Sequence, residues 1–406
     1  MAFGQIEQAD LWQRQLPDPR RIRVLMGSFA LLGVWLGALG VLLQLWAVQL
    51  RLGPQASGNV FLMLGLGSLV VPLAALRKAP RTGRAVRRLF VASGILAAVS
   101  FLWLSQIVEA PWLLPPLLLL GVALGALNVA TALLLRATLT LPRAAVVIEL
   151  AGIFFSAGAL VTCLILWALF ERLNTILGLL TILFALLAWQ VSRAKLFEFL
   201  AFHPDSSSLW SQFDRSPRTI LLAFALFLQS GIYWTAGGWL AFYMGRKFGT
   251  AASTNLGILT VFWLALTCGR VTAQRVPPLE KRLRSLMAAS ALCFIGSIFL
   301  IQTVETSGAV VGALCLGGGL GLLHPLTVGA IMGRHPYPQT RLLHLFFLGT
   351  FSGGLLIPWG VGYLAAEMGI EVVVWTAMAA TILIFLVLGI VVIENKLDAR
   401  AAPTAT

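Results

Sequence analysis

Hydrophobic residues in this chain form long runs that short polar breaks separate. A helix needs roughly 20 apolar residues to cross a hydrocarbon layer of about 30 Å, and twelve runs approach that length. The runs centre near Ala38, Gly67, Val99, Leu124, Phe155, Ile182, Gly231, Val261, Phe294, Gly319, Phe351 and Ile382. Because backbone groups in lipid must be satisfied within each segment, the pattern predicts an all-α polytopic membrane protein with twelve transmembrane helices.

Composition strengthens this prediction. Of the 406 residues, 59% are hydrophobic and 11% are charged, and the mean hydropathy of +0.91 exceeds what a water-soluble core can bury. The first twenty residues are polar and the first apolar run is long enough to span by itself, so we expect no cleavable signal peptide. We expect a multi-pass protein of the cell (inner) membrane, in contact with the lipid bilayer.

The net charge of +14 raises the question of a polyanionic partner. Nearly all lysines and arginines fall in alternate polar breaks. If the N-terminus is cytoplasmic, only four of the 29 lie outside, namely Arg51, Arg172, Arg246 and Lys247. This positive-inside bias predicts that both termini are cytoplasmic, and it removes the reason to expect nucleic acid as a partner.

The two halves of the chain resemble each other. A shift of 196 residues holds without a gap from Arg51 to Glu367, and it also lays Asn128 on His324. Matched pairs include Gly53 with Gly249, Ser57 with Ser253, Asn59 with Asn255, Pro142 with Pro338 and Glu171 with Glu367. The repeat predicts two pseudo-symmetric six-helix bundles, residues 1–192 and 219–406, joined by a cytoplasmic linker at 193–218.

This six-plus-six plan resembles the major facilitator superfamily. The stretch PRTGRAVRR, residues 80–88, resembles its best-known motif, in which Arg81 and Arg84 fit and Pro80 replaces the usual aspartate. The stretches at 234–270, 319–334 and 346–365 are similar to helices seven, eight, ten and eleven of the fucose-permease-like sugar transporters. The resemblance implies alternating access around a site between the bundles. Asn128 stands where proton-coupled members carry an acid, so coupling by that route does not carry over.

Charge in the bilayer interior costs from about 2.5 kcal/mol upward on insertion scales, so buried ionisable residues are functional candidates. Glu149 lies near the start of the fifth run, and its repeat position is the apolar Leu345. One interpretation is a proton carrier or cation partner. The other, which we favour, is a structural pair with Arg136 or Arg143 that steadies the cytoplasmic gate.

His324 lies in an apolar run, opposite Asn128 by the repeat. Neutral imidazole donates and accepts hydrogen bonds and gains charge near physiological pH, which suits substrate binding or coupling. The alternative is a structural histidine bonded to a carbonyl that Pro325 leaves without its helical donor.

Further candidates are aromatic or amide side chains at midspan. Gln229, Tyr233 and Trp234 lie in the middle of the seventh run. Trp35 and Gln44 are nine residues apart in the first run, on opposite helix faces, so we expect only one to line the path. We therefore predict as substrate-binding residues Trp35, Asn128, Gln229, Tyr233, Trp234, His324 and Trp359. As coupling or gating residues we predict Glu149, His324, Arg81, Arg84, Arg136 and Arg270.

These side chains favour a secondary active transporter of a small, neutral, polar solute similar to a sugar, working by symport with protons or Na⁺ and as a monomer. An exporter of drugs or amphipathic metabolites is the alternative, and a sensor that has lost transport is a further one. We expect no catalysis, cofactor or metal: external acids are scattered, no nucleotide-binding motif occurs, and the four cysteines lack metal-ligand spacing.

Overall fold

The structure is a computed structural model that describes residues 19–77, 82–138, 141–170, 172–193, 217–275, 279–332 and 340–401. Twelve long helices lie in these ranges: α1 Pro19–Gln49, α2 Pro54–Arg77, α3 Gly83–Leu104, α4 Leu114–Thr138, α5 Leu141–Ala168, α6 Leu173–Arg193, α7 Pro217–Phe248, α8 Ala252–Ala273, α9 Leu279–Gln302, α10 Thr306–Met332, α11 Thr340–Met368 and α12 Val372–Ala401. Each predicted run centre falls in a helix of its own. The all-α prediction is therefore confirmed.

The outer surface of the bundle is apolar. Eleven helices, all but α11, are long and apolar enough to cross a membrane within the described residues. Large aliphatic side chains stay exposed on peripheral helices, such as Ile182 on α6 at 58% and Leu386 on α12 at 56%. An exposed apolar surface of this extent is expected for a protein that is surrounded by lipid.

Helix pairing repeats between the first six and the last six helices. In the first set α1 packs on α5, α2 on α4, and α3 on α4 and α6. In the second set α7 packs on α11, α8 on α10, and α9 on α10 and α12. The helices also keep the sequence register, since α3 begins at Gly83 and α9 begins 196 residues later at Leu279.

The two sets meet mainly through three helix pairs, α1 with α7, α2 with α11, and α5 with α8. Under the repeat, α2 corresponds to α8 and α5 corresponds to α11, so the last two pairs are equivalent to each other. The first pair joins α1 to α7, its own equivalent. Residues 194–216, nearly all of the predicted linker, lie outside the described ranges. The domain boundaries at 192 and 219 and the cytoplasmic position of both termini stay predictions.

Glycines allow the closest helix pairs to approach. A Cβ added to Gly269 would lie 3.0 Å from the Cα of Gly321, and one added to Gly321 would lie 3.0 Å from the Cα of Gly269, so α8 and α10 touch backbone to backbone. Gly67 and Gly121 form the corresponding contact between α2 and α4. Without a hydrophobic force between helices in lipid, such close packing is what holds them together.

Many hydroxyl side chains inside the helices bond to the backbone of their own helix. Ser28 donates to the carbonyl of Val24 at 2.7 Å, and Ser100 donates to that of Leu96 at 2.7 Å. Each serine therefore satisfies its hydroxyl proton one turn back. These residues can lie in a membrane-spanning helix without a polar partner elsewhere.

The glycine contact between α8 and α10 can be tested by adding volume. We expect Gly321→Leu to lower the free energy of unfolding by about 1–3 kcal/mol, because the side chain has no room against the backbone of α8. Gly178→Leu on α6 is the control, since nothing lies within 4 Å of a Cβ there. Unfolding in a mild detergent titrated with denaturant measures both. Equal stability of the two variants would contradict the contact.

Candidate functional site

A central cavity lies between the two sets of helices. It offers about 150 Å³ to solvent, enough for on the order of ten water molecules. Both sets contribute walls: α1, α4 and α5 from the first, and α7, α8, α10 and α11 from the second. Most of its lining lies in the half of the bundle that contains the start of α1 and the end of α10.

The other half of the bundle is closed by backbone contact. Four residues lie where α2 meets α11, and we call this group the sealed end: Gly58, Asn59, Gly362 and Tyr363. A Cβ on Gly362 would lie 2.6 Å from the Cα of Gly58 and 2.8 Å from the carbonyl oxygen of Pro54. The Tyr363 hydroxyl donates to the Asn59 side-chain oxygen at 3.2 Å. Solvent therefore has no wide path between α2 and α11 at this end.

Solved structures share this architecture. The E. coli fucose:proton symporter FucP has 17% identity and a TM-score of 0.64, with 91% of this chain and 98% of that chain covered. The human organic anion transporter TETRAN has 14% identity and a TM-score of 0.68, with 92% and 100% covered. The nucleoside transporter NupG has 14% identity and a TM-score of 0.64, with 91% and 98% covered.

The chain has the major facilitator superfamily fold. The likeness runs over almost the whole length of each protein, as the sequence resemblance predicted. No protein-family model matches the sequence. No curated protein matches it either.

Most of the predicted site residues meet in the central cavity of this major facilitator fold. Of the substrate-binding set, the cavity is lined by Trp35, Asn128, Gln229, Tyr233, Trp234 and His324. Of the gating set, it is lined by Glu149, His324 and Arg270. On α1, Trp35 faces the cavity, whereas Gln44 lies beside Gly245 of α7.

The remaining predicted residues lie elsewhere. Trp359 does not line the cavity: it follows Phe351 by eight residues, about 12 Å along α11, and its ring packs on Tyr363 at 5.5 Å near the sealed end. Arg84 is exposed in the first turn of α3, a helix that does not line the cavity. Arg81 and the side chain of Arg136 lie outside the described residues.

The repeat organises the cavity wall. Asn128 and His324, which the 196-residue shift pairs, both line the cavity, as the sequence predicted. Phe155 and Phe351, and Leu124 and Leu320, are also repeat pairs on the wall. These apolar pairs were not among the predicted site residues, although the 196-residue repeat marks them as equivalent positions.

Only one end of the Gln229 side-chain amide is hydrogen-bonded to a described residue. This side chain is 2% exposed, and its Nε2 donates to the Thr327 hydroxyl of α10 at 2.8 Å. The Thr327 hydroxyl donates in turn to the Leu323 carbonyl at 2.8 Å. The other amide atom, Oε1, is buried and makes no hydrogen bond to a described residue. The Gln229 amide is thus oriented, with its acceptor still available.

The predicted gating residue Arg270 belongs to the cavity wall and not to a loop. It lies in the last turn of α8, is 5% exposed and lines the cavity. Its Nη1 donates to the Gly152 carbonyl of α5, across the boundary between the two sets of helices. Its guanidinium lies 5.2 Å from the Phe155 ring centre and 5.5 Å from that of Tyr233, within cation–π range.

The bond between Gln229 and Thr327 can be tested with the repeat as its control. Thr327→Val removes the acceptor of a buried amide, so we expect the free energy of unfolding to fall by about 1–3 kcal/mol. Thr131→Val is the matched change, because Thr131 occupies the repeat position and its hydroxyl bonds to the Leu127 carbonyl at 2.7 Å. In denaturant unfolding, the free energy of unfolding of Thr327→Val should be clearly lower than that of Thr131→Val. Similar losses would show that Gln229 gains nothing from Thr327.

Proposed function

We propose that this protein is a secondary active transporter that moves a small polar solute across a membrane by alternating access. The observation that carries the proposal is a single arrangement: a central cavity with walls from both sets of helices, closed at one end by Gly58 and Gly362. Rocking one set over the other would open the sealed end and close the opposite one.

The solute is of sugar size and polar, in line with the sequence interpretation. An amide at Asn128, an amide at Gln229 and a hydroxyl at Tyr233 on the cavity wall suit hydroxyl groups on a solute. The names of the similar structures, a fucose:proton symporter and a nucleoside transporter, agree with a hydroxyl-bearing solute. The aromatic share of the wall, with Trp35, Trp234 and Phe155, favours export of amphipathic metabolites as the second candidate.

Coupling to protons or Na⁺ is part of the proposal, with Glu149 and His324 as the groups that bind or respond to the ion. Both line the central cavity, from α5 and α10. With the start of α1 in the cytoplasm, as the positive-inside bias predicts, this conformation would face inward. We further propose a monomer in the inner membrane, built from the two halves at 1–192 and 219–406.

Transport can be measured in proteoliposomes. We expect the full chain to take up at least one solute from a panel of sugars, nucleosides and polyols under a proton or Na⁺ gradient. His324→Ala and Glu149→Gln should each lower the initial rate at least tenfold, because they alter titratable groups on the cavity wall. Glu109→Gln is the control, since Glu109 is exposed in a loop and does not line the cavity. Parent rates in both cavity variants would overturn these assignments.

The sealed end offers a second test. Gly362→Leu cannot fit against Gly58, so we expect it to favour the conformation that is open at this end. A cysteine at Gln44, which is buried beside Gly245 in the same half of the bundle, should then react at least tenfold faster with a membrane-impermeant maleimide, in a background with Cys268 and Cys315 replaced by serine. Gly360→Leu on the same helix is the control, because nothing lies within 4 Å of a Cβ there. No difference between the two leucine variants would contradict a mobile seal.

A further inference from the structure

We infer that the transported solute carries an anionic group, of carboxylate type, and that Arg270 binds it. This inference rests on the proposed transport function and changes its substrate class from a neutral sugar to a small hydroxylated acid. The sequence pointed to a neutral solute because few fixed charges occur in the apolar runs. The tertiary structure alone brings the Arg270 cation into the cavity wall.

The guanidinium is poorly neutralised by its neighbours. Among the described residues no carboxylate forms an ion pair with Arg270; its neighbours are the Gly152 carbonyl, the ring faces of Phe155 and Tyr233, and the Tyr233 hydroxyl. A guanidinium has five N–H donors, and Nε is buried without a hydrogen bond to any described residue. A carboxylate satisfies such a group best, because two parallel N–H donors match its two oxygens.

The atoms around Arg270 fit the rest of such a solute. The Trp35 indole Nε1 and the Gln229 Oε1 are buried without a hydrogen bond to a described residue, and the buried Tyr233 hydroxyl lies beside the Arg270 guanidinium. They supply donors and one acceptor for hydroxyl groups on the part of the solute that is not charged. Glu149 and His324 also line the cavity, so the anion binds beside two titratable groups that protons can alter.

Binding at Arg270 also links the solute to the movement of the helices. The bond from Arg270 to the Gly152 carbonyl is a polar contact between α8 and α5, and α5 belongs to the opposite set. A carboxylate bound to the same guanidinium therefore lies directly on a polar contact between the two sets.

The test measures binding to the purified full chain by tryptophan fluorescence, since Trp35 and Trp234 line the cavity. The probes are gluconate, glucuronate, quinate and lactate, each beside a neutral counterpart: sorbitol, glucose, myo-inositol and propane-1,2-diol. We expect at least one anion to bind ten times more tightly than its neutral counterpart. Arg270→Gln should remove this preference, and Arg270→Lys should keep part of it because the charge stays while the planar fork is lost.

Arg246→Gln is the matched control. Arg246 is also an arginine over an aromatic ring, with its guanidinium 5.4 Å from the ring centre of Phe242, but it is exposed and outside the cavity. It should bind the anions as the parent does. If Arg270→Gln does not fold, two measurements still test the inference. The parent chain should prefer the anion to its neutral counterpart, and Arg270→Lys should bind the anion more weakly than the parent chain does.

Three results would overturn the inference: no anion binds, neutral compounds bind as tightly as their acids, or Arg270→Gln keeps the preference for the acid. Uptake of the same panel in proteoliposomes separates this failure from that of the transport proposal. If a neutral solute is taken up and anions are not preferred, the transport proposal stands and the role of Arg270 is wrong. If an anion binds tightly but no ion gradient drives its uptake, the Arg270 site stands and the transport proposal is wrong.

Discussion

The exclusion of water from the hydrocarbon layer is the constraint on which the rest of this structure depends. Backbone groups that cannot bond to water must bond within their own segment, and this is why the described elements that cross the layer are long helices. The same exclusion explains why Ser28 and Ser100 donate to carbonyls one turn back. Some buried polar side chains without such a partner, among them Trp35 and Gln229, line the central cavity.

Helices in lipid gain little from hiding apolar surface, so they associate where their backbones can approach. The contacts of Gly67 with Gly121 and of Gly269 with Gly321 hold each set of helices together, and the contact of Gly58 with Gly362 joins the two sets at one end. The first two contacts lie within a set. The third lies where a transporter that alternates must separate, and it is backed by one side-chain hydrogen bond, from Tyr363 to Asn59.

The central cavity combines two kinds of chemistry. One wall presents oriented polar groups, as Gln229 does when Thr327 fixes its amide. Another holds a cation between two aromatic faces and a carbonyl, in the contacts of Arg270 with Phe155, Tyr233 and Gly152. Since these contacts cross from α8 to α5, the same side chain lines the cavity and joins the two sets of helices.

The amino-acid sequence by itself determined the twelve helices, the internal repeat and the pairing of Asn128 with His324, because hydropathy and self-similarity are properties of local segments. It could not decide whether Trp35 or Gln44 faces the cavity, nor that Trp359 lies toward the sealed end. Those outcomes depend on the rotation and depth of each helix, which packing against its neighbours sets. The surroundings of Arg270 depend on packing in the same way: the sequence predicted a gating residue there, but only the tertiary structure turns this cation inward, between aromatic rings that belong to two other helices.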